Sequence, residues 1–451
     1  MKNSSATGLY FIDTRTVKLA AENNLIHLKH IEVDKMVGVL VCDQSAAFDL
    51  CDHYLLVEKL KLMGLEDTAA SWIWSYLSGR SQSCFVDGNL SSPIDLLSCG
   101  VPQGSIGGPL LWLCFTCDQP DVVHEHPVDG QDLHRGCADH VESDAARVVG
   151  EDAGGDGDCG ELVGYVDDGA YSYAHKDPAV LSQVLTRKYN LLEEWISGNK
   201  LVINPDKTHL MVMGPKKISA RRNQVSIQAG PFTIIPTESE KLLGGHLHQS
   251  LQWNHHIRNH KNSIMNQITG RINGLKKIAR NSTFNTRLMV ANGVVMSKLG
   301  YLITVWGGAQ QYLLKGLQVQ QLTAARTVCG FYSRGWSKKK LLDRLNWLSI
   351  RQLIYYHTVL QAQKTITSGK PAVIHQTIST HHPYRTRNAA TGQIRFGENF
   401  RGESSLIQAS FKHSAVHCYN AVPASVRTGS LANVKKKLRK WVKLNVPIDW
   451  G

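Results

Sequence analysis

A chain of 451 residues can hold two or three domains with ordinary cores. Its 42% apolar and 19% charged content exclude a disordered or collagen-like polymer, and no run of about 18 apolar residues is available for a membrane-spanning helix. The net charge of +13 suits a polyanionic partner, because Lys and Arg on phosphates release counterions.

Residues 1 to 35 are polar and poorly patterned, with at most a short helix. Met1 to Ala20 lacks the apolar core of a signal peptide. The ten Cys are therefore read as reduced thiols, and the protein as intracellular, in nucleus or cytoplasm. Met36 to Cys42 predicts a buried strand, His53 to Gly64 a helix, and Asp67 to Leu77 a second helix carrying Trp72, Trp74 and Tyr76. Ser81 to Val86 and Ile94 to Cys99 flank Asp87-Gly88-Asn89, a hairpin signal. Ser105 to Cys117 predicts a helix entered through a Pro-Gln-Gly turn.

Residues 118 to 160 are acidic, rich in Gly and His, and without period; they predict a loop or insertion. Leu162 to Asp168 and Ala170 to Ala174 predict a hairpin with two Asp at its tip. Asp177-Pro178 opens an amphipathic helix to Ser197. Thr208 to Met213 and Lys241 to His246 predict strands. His255 to about Gly330 is helical and basic, Ser337 to Thr367 two further helices, and the tail from Lys370 mixed, with the run Lys435-Lys436-Lys437-Leu438-Arg439-Lys440 near its end.

Chemistry concentrates at Tyr165-Val166-Asp167-Asp168 and at Asp43, carboxylates delivered by two strand ends. Three such acids are what a two-metal phosphoryl-transfer site needs, since hard cations take oxygen ligands. An Asp-Asp-Gly turn alone would mean little. The order of the surrounding segments adds to it: Asp43-Gln44-Ser45-Ala46-Ala47-Phe48-Asp49, then Gly100-Val101-Pro102-Gln103-Gly104-Ser105, then the paired Asp, then Asn199 to Thr208, then Lys241-Leu242-Leu243-Gly244-Gly245.

In that order these segments resemble motifs A to E of reverse transcriptases, most closely those of non-LTR (LINE-type, jockey-like) retrotransposons. The resemblance is specific over about residues 36 to 250. It implies an α+β fold: a palm of the ferredoxin-like split β-α-β kind with an antiparallel sheet, a helical thumb, and a mixed C-terminal region. The corresponding divisions are 1–35 as a remnant of fingers or lead, 36–250 as palm with the 118–160 insertion, 251–335 as thumb and 336–451 as C-terminal region. It implies RNA-directed DNA polymerase activity with two Mg²⁺, for which Mn²⁺ can stand in, and an RNA template, a DNA primer and deoxynucleoside triphosphates as partners. No membrane partner is expected.

By the same resemblance, Asp43, Asp167 and Asp168 are the metal ligands. Phe48 lies under the sugar as a gate against the 2′-hydroxyl. Gln103 and Gly104 touch nucleotide and template, Tyr165 lines the floor beside the primer end, Lys207 is a general acid for pyrophosphate, and Leu243, Gly244 and Gly245 form the primer grip. Gly107 departs from the bulky apolar residue usual in the family and, inside the predicted helix, costs about 1 kcal/mol.

Alternatives stand beside these roles. Phe48 could be ordinary core, Lys207 a solvated residue after a turn, and Gly244-Gly245 a plain strand end. Cys114-x-x-Cys117 and Cys137-x-x-His140 have zinc-like spacing, with His124, His126 and His134 between them. His255, His256 and His260 read as solvated helix residues. Few basic residues precede the palm (Arg15, Lys29 and Lys35), and an endonuclease segment is not visible. The expectation is a partial copy, with an inactive product that only binds nucleic acid as the alternative to an active polymerase.

Overall fold

The computed structural model describes residues 35–43, 47–95, 99–119, 161–165, 168–204, 207–214, 218–242, 244–330, 333, 335–369, 375, 378–379, 393–396 and 410–450, with backbone alone at 43, 95, 161–165, 168, 379, 396 and 412. The expectations for 1–34 and for most of 118–160 lie outside these residues. The fold is mixed helix and sheet, as expected, and clusters into a unit over Asp34–Glu238 and a unit over Ser239–Gly451. No helix among the described residues is long and apolar enough to cross a membrane.

The first unit is built on β1 (Met36–Asp43), the middle strand of a five-stranded sheet. Around it lie α1 (Ala47–Leu50), α2 (His53–Leu62), α3 (Asp67–Leu77), the short strands β2 to β5 (Ser81–Gln82, Phe85–Val86, Asn89–Leu90, Ile94–Asp95) and α4 (Gly108–Phe115). Next come β6 (Glu161–Tyr165), β7 (Asp168–His175), α5 (Pro178–Gly198), β8 (His209–Met213) and β9 to β11 (Ile227–Ala229, Phe232–Ile234, Pro236–Thr237). The sheet runs β11-β8-β1-β7-β6, with β1 antiparallel to both neighbours and β11 parallel to β8.

Both sets of alternating β1 side chains are buried: Met36, Leu40 and Cys42 in one set, Val37, Val39 and Val41 in the other. A strand covered on both faces has no polar face, which is why Met36 to Cys42 is an unbroken apolar run. Helix α5 packs against β1 and β7. Its stripe Leu181, Leu185, Tyr189, Leu192 and Ile196 follows the helical repeat and is buried. The Asp177 carboxylate accepts the Ala179 amide at 2.8 Å and Pro178 fills the first turn, so the helix starts where the sequence predicts. Gly38 lets α5 approach: a Cβ there would stand 2.5 Å from Leu185 Cδ1 and 3.3 Å from Leu181 Cδ1.

The predicted hairpin is present but interrupted. Asp87 (φ 50°) and Gly88 (φ 83°) make the tight turn between β3 and β4, while β2 pairs with β5 further out. Between the two ladders the Ser91 hydroxyl accepts the Cys84 amide, and Pro93 has no amide to offer. Helix α4 begins at Gly108 rather than Ser105. Ser105, Gly107 and Gly108 form a turn in which the Ser105 hydroxyl accepts the Gly108 amide at 2.9 Å. Gly107 is thus the residue before the helix, where glycine is tolerated, and the interior cost expected for it does not arise.

In the second unit the single strand expected over Lys241 to His246 is two strands, β12 (Ser239–Leu242) and β13 (Gly245–His248), paired antiparallel. The longer helices that follow are α6 (Ile264–Ala279), α7 (Phe284–Ala291), α8 (Gln311–Cys329), α9 (Lys338–Arg344), α10 (Ile350–Ser368), α11 (Phe411–Ala421) and α12 (Leu431–Asn445). One apolar core takes residues from Ile257 to Val446. Buried amides stitch it: Gln318 Oε1 accepts the Ile350 amide at 2.8 Å, Gln321 Nε2 donates to the Leu348 carbonyl at 2.8 Å, and Gln352 Nε2 donates to the Val446 carbonyl at 2.8 Å.

Of His255, His256 and His260, all expected to be solvated, His256 is a correction while the other two are partly exposed. A π-helical turn, His255–Asn259, carries His256 and Ile257 into the interior. His256 is 2% exposed; its Nδ1 accepts the His246 amide at 3.2 Å, and its Nε2 is buried with no hydrogen-bond partner among the described residues. Burial, with neighbouring His246 and Lys298, drives the His256 pKa down to about 3. Burial, with His260 and Lys241, drives that of His246 down to about 4. The unfolded chain, whose histidines titrate near 6.5, therefore binds protons that the folded unit refuses. Stability is full above that pH and falls as pH drops toward 4. Urea midpoints should be lower at about pH 5 than at about pH 7.5, and His256→Phe should shrink the difference; an unchanged difference would remove His256 from the account.

Candidate active site

The carboxyl end of β1 and the start of β7 meet in the ladder. Asp43 pairs with Asp168, and Asp168 pairs on its other side with Tyr165 of β6. Three of the expected site residues thus form one row across adjacent strands. Directly opposite Cα atoms in antiparallel pairs stand about 4.5–5.5 Å apart. Tyr165↔Asp168 leaves Val166 and Asp167 as the two-residue connection, and both lie outside the described residues. Strand β8 runs antiparallel to β1 with His209 opposite Val41. Lys207, two residues before His209, is therefore at the same end of the sheet as Asp43, and it is exposed.

The segment after Asp43 and the Gly100 to Gly104 loop are pinned together by backbone bonds. The Gly100 amide donates to the Cys51 carbonyl and the Val101 amide to the Phe48 carbonyl, both at 2.7 Å, and His53 Nε2 donates to the Gly100 carbonyl at 2.7 Å. Gly100 has φ +96°, and a Cβ there would lie 3.0 Å from the Asp49 carbonyl oxygen and 3.2 Å from its Cα. No other residue fits both the conformation and the gap. This junction brings the Gln103 amide to Asp49 Oδ1 at 2.9 Å. Phe48 is half-buried, its ring stacked on Trp112 of α4 at 5.3 Å and 21°. Gly104 is exposed with φ +81° and open space where a Cβ would be, so its backbone conformation requires glycine rather than any contact.

Leu243 lies outside the described residues. Gly244 (φ +78°) turns the chain between β12 and β13, and a Cβ on it would meet the Tyr301 ring at 3.3 Å. Gly245 opens β13 and sits under Leu302. Both belong to the Ser239–Gly451 unit.

Two groups escaped the sequence reading. Asp52 caps α2 by accepting the Leu55 amide and binds Lys200 Nζ at 2.7 Å. Partial burial pushes its carboxyl up, but the Lys200 and Leu55 bonds outweigh that and hold it below the usual range. Lys200 has φ +59°, a left-handed position after α5. An N-cap signal before His53 was legible; its partner 148 residues away was not. Lys59 closes the other side of α2, at 2.8 Å from Asp118 and over the Phe115 and Trp195 rings.

Two thiols lie near the acids in sequence. Cys42 and Cys51 are buried, and burial pushes both thiols up to about 12. Cys114 is half-buried on α4 and Cys117 exposed; Cys137 and His140 lie outside the described residues. Among the described residues no group of three or more His, Cys, Asp or Glu could hold a metal ion.

Two acids paired across neighbouring strands, and a Pro-Gln-Gly loop pinned to the segment after β1, accompany a match to the family profile of reverse transcriptase (RNA-dependent DNA polymerase) over residues 11–247. The chain belongs to that family. It is similar to the RNA-directed DNA polymerase from mobile element jockey of Drosophila funebris, 25% identical over 303 residues, 67% of this chain and 29% of the relative. It is also similar to the probable RNA-directed DNA polymerase from transposon BS of Drosophila melanogaster, 26% identical over 321 residues, 70% of this chain and 31% of the relative. The resemblance drawn from the ordered motifs is therefore borne out. The match spans only 29% and 31% of the length of these two relatives. A solved telomerase from Candida albicans with a fragment of telomeric RNA covers 80% of this chain and 53% of its own at 11% identity, with a TM-score of 0.24, too low to carry an argument.

Gly100→Ala should destabilise the Asp34–Glu238 unit by about 1–3 kcal/mol, from left-handed strain plus contact with Asp49 backbone. Denaturant unfolding of the full chain reads it, against Gly104→Ala, which carries the strain but no contact. Equal losses in the two variants would mean that the junction does not depend on close approach.

Proposed function

We propose that this chain works as an RNA-directed DNA polymerase, adding deoxynucleotides to a primer 3′-hydroxyl on an RNA template. The observation that carries this is the register pair Asp43↔Asp168 in a member of the reverse transcriptase family. In this reading 36–250 is the palm, 251–335 the thumb and 336–451 a C-terminal region. The sheet with β1 at its centre supports the first assignment and the helices from Ile264 onward support the second.

Asp43, Asp167 and Asp168 would hold two Mg²⁺, replaceable by Mn²⁺. The donor set fits: acids paired on neighbouring strands offer the hard oxygens that Mg²⁺ and Mn²⁺ take. Bound there, the ions would supply Lewis-acid activation of the 3′-hydroxyl and neutralise charge on the phosphates. The protein's own groups do the rest. Phe48, fixed by its stack on Trp112, gives a rigid floor under the sugar that excludes a 2′-hydroxyl. Gln103, oriented by Asp49, is held at the mouth of the loop to meet the nucleotide. Lys207, at the same end of the sheet, delivers a proton to the leaving pyrophosphate. Tyr165 stands beside the primer end, Gly104 lets the template backbone approach, and Leu243, Gly244 and Gly245 grip the primer.

Primer extension on poly(A)–oligo(dT) tests the reading. Asp43→Ala and Asp167→Ala should each slow extension by at least about a hundredfold, with the circular dichroism spectrum unchanged. Phe48→Ala should raise ribonucleotide incorporation relative to deoxynucleotide. Extension that survives both Asp substitutions would sink the metal assignment.

A further inference from the structure

We propose that Trp336, Lys339, Lys340 and Arg344, with Lys436 and Lys440, form a binding surface for single-stranded nucleic acid lying wholly within the Ser239–Gly451 unit. It starts from an aromatic fixed at the rim of a depression. Trp336 is half-buried and packs against the unit's core. Beside it lies a cavity of about 450 Å³ lined by Trp336, Ser337, Lys339, Lys340, Asp343 and Arg344, within the roughly 300–1,000 Å³ of small-molecule sites. Lys340 Nζ stands 4.6 Å over the Trp336 ring, and the Arg344 guanidinium 4.9 Å over Phe284. Lys338 is committed elsewhere, to Asp449 at 2.9 Å, while Lys339 and Lys340 are exposed.

Helix α12 extends the charge. Its buried stripe is Val434, Leu438 and Val442. Lys437 is spent on the Ser425 carbonyl. Arg439 and Lys443 reach Asn346, in the turn just after α9, through its carbonyl and its Oδ1. Those two contacts tie the basic side of α12 to the turn that follows α9. Lys436 and Lys440, one helical turn apart, are exposed.

The chemistry points to one ligand class. A splayed base stacks on an indole face in a sequence-tolerant way, and ammonium and guanidinium groups take the neighbouring phosphates. Lys340, now over the ring, would yield its place to a base and move to a phosphate. Asp343, the one acid in the lining, offers an acceptor to a base amino group. A duplex keeps its bases stacked inside and cannot present one to the depression.

Fluorescence anisotropy of the full chain, without nucleotides, tests this with a short single-stranded RNA, the same sequence as DNA, and its duplex. Binding is read without polymerisation, so an inactive polymerase leaves the test intact. Replacing Lys339, Lys340, Lys436 and Lys440 together by Ala alters only exposed positions. It should lower the salt slope of single-strand binding by about 2–3, at about 0.7 per lost phosphate contact. Trp336→Ala should weaken binding about tenfold, and Trp336→Phe should restore most of it. Ultraviolet cross-links should fall on the peptide around Trp336. Binding of either single strand supports the surface, and the tighter of the two names its ligand. An unchanged salt slope, cross-links confined to Asp34–Glu238, or equal loss on the duplex would each overturn the proposal. The first is also what a basic run serving only as an import address would give.

Discussion

Everything proposed for the first unit depends on the register of β1. Side chains alternate along a strand, so a slip of one residue would exchange its two faces and move Asp43 off Asp168. What prevents the slip lies several residues away. Gly38 stands where Leu181 and Leu185 press closest, and any neighbour in its place would bring a branched side chain under α5. With buried residues on both faces, β1 has no polar side to tell it which way to turn. Shape then sets the register, and the acids at the end inherit it.

A second constraint holds the other part of the site. Nothing in the β1 ladder places the Pro102-Gln103-Gly104 loop. It is held by two amide bonds, a histidine bond and one glycine against the backbone of Phe48 to Cys51. The contact closes a loop of about fifty residues, whose entropic cost grows only slowly with length. Short local bonds at the junction can therefore hold it, and the α2 contacts of Lys59 and Asp52 add support on either side.

The parts of this structure legible in the sequence are those governed by period and caps. The strand at Met36, the helix at Asp67 to Leu77 and the helix opened by Asp177-Pro178 follow from local patterns that tertiary contacts reinforce. The departures have local causes of another kind. At Ser105 to Gly108 a hydroxyl–amide turn displaces the first helical turn, because two glycines weaken helix there. At Leu242 to Gly245 a left-handed glycine breaks an apolar run that reads as one strand. His256 and the Asp52–Lys200 pair depend on partners remote in sequence or on a π-helical turn, and neither leaves a periodic trace. The candidate site divides the same way. The row of Asp43, Asp168 and Tyr165 follows once strands are paired, whereas the bond from Gln103 to Asp49 needs the fold.

A site made of carboxylates sets a problem that the rest of the chain must solve. In the proposed reading three Asp face a substrate and a template that are polyanions, and bare acids repel phosphates. Bound cations reverse the sign locally, but their field is screened within about 10 Å at ordinary ionic strength. Affinity for a long strand therefore has to come from cations held by the protein elsewhere. The chain's excess of 50 Lys and Arg over 37 Asp and Glu meets that need. Helix α12 shows how it is deployed: an apolar stripe in the core, some cations tied to carbonyls, and others exposed in a line. Cations tied to carbonyls stabilise the fold and cannot also hold a phosphate without giving up those bonds. The exposed Lys436 and Lys440 make no such bond among the described residues and are the cations open to a phosphate. In the proposed reading, the exposed Lys436 and Lys440 give α12 a second grip on the same class of ligand that the acids act upon.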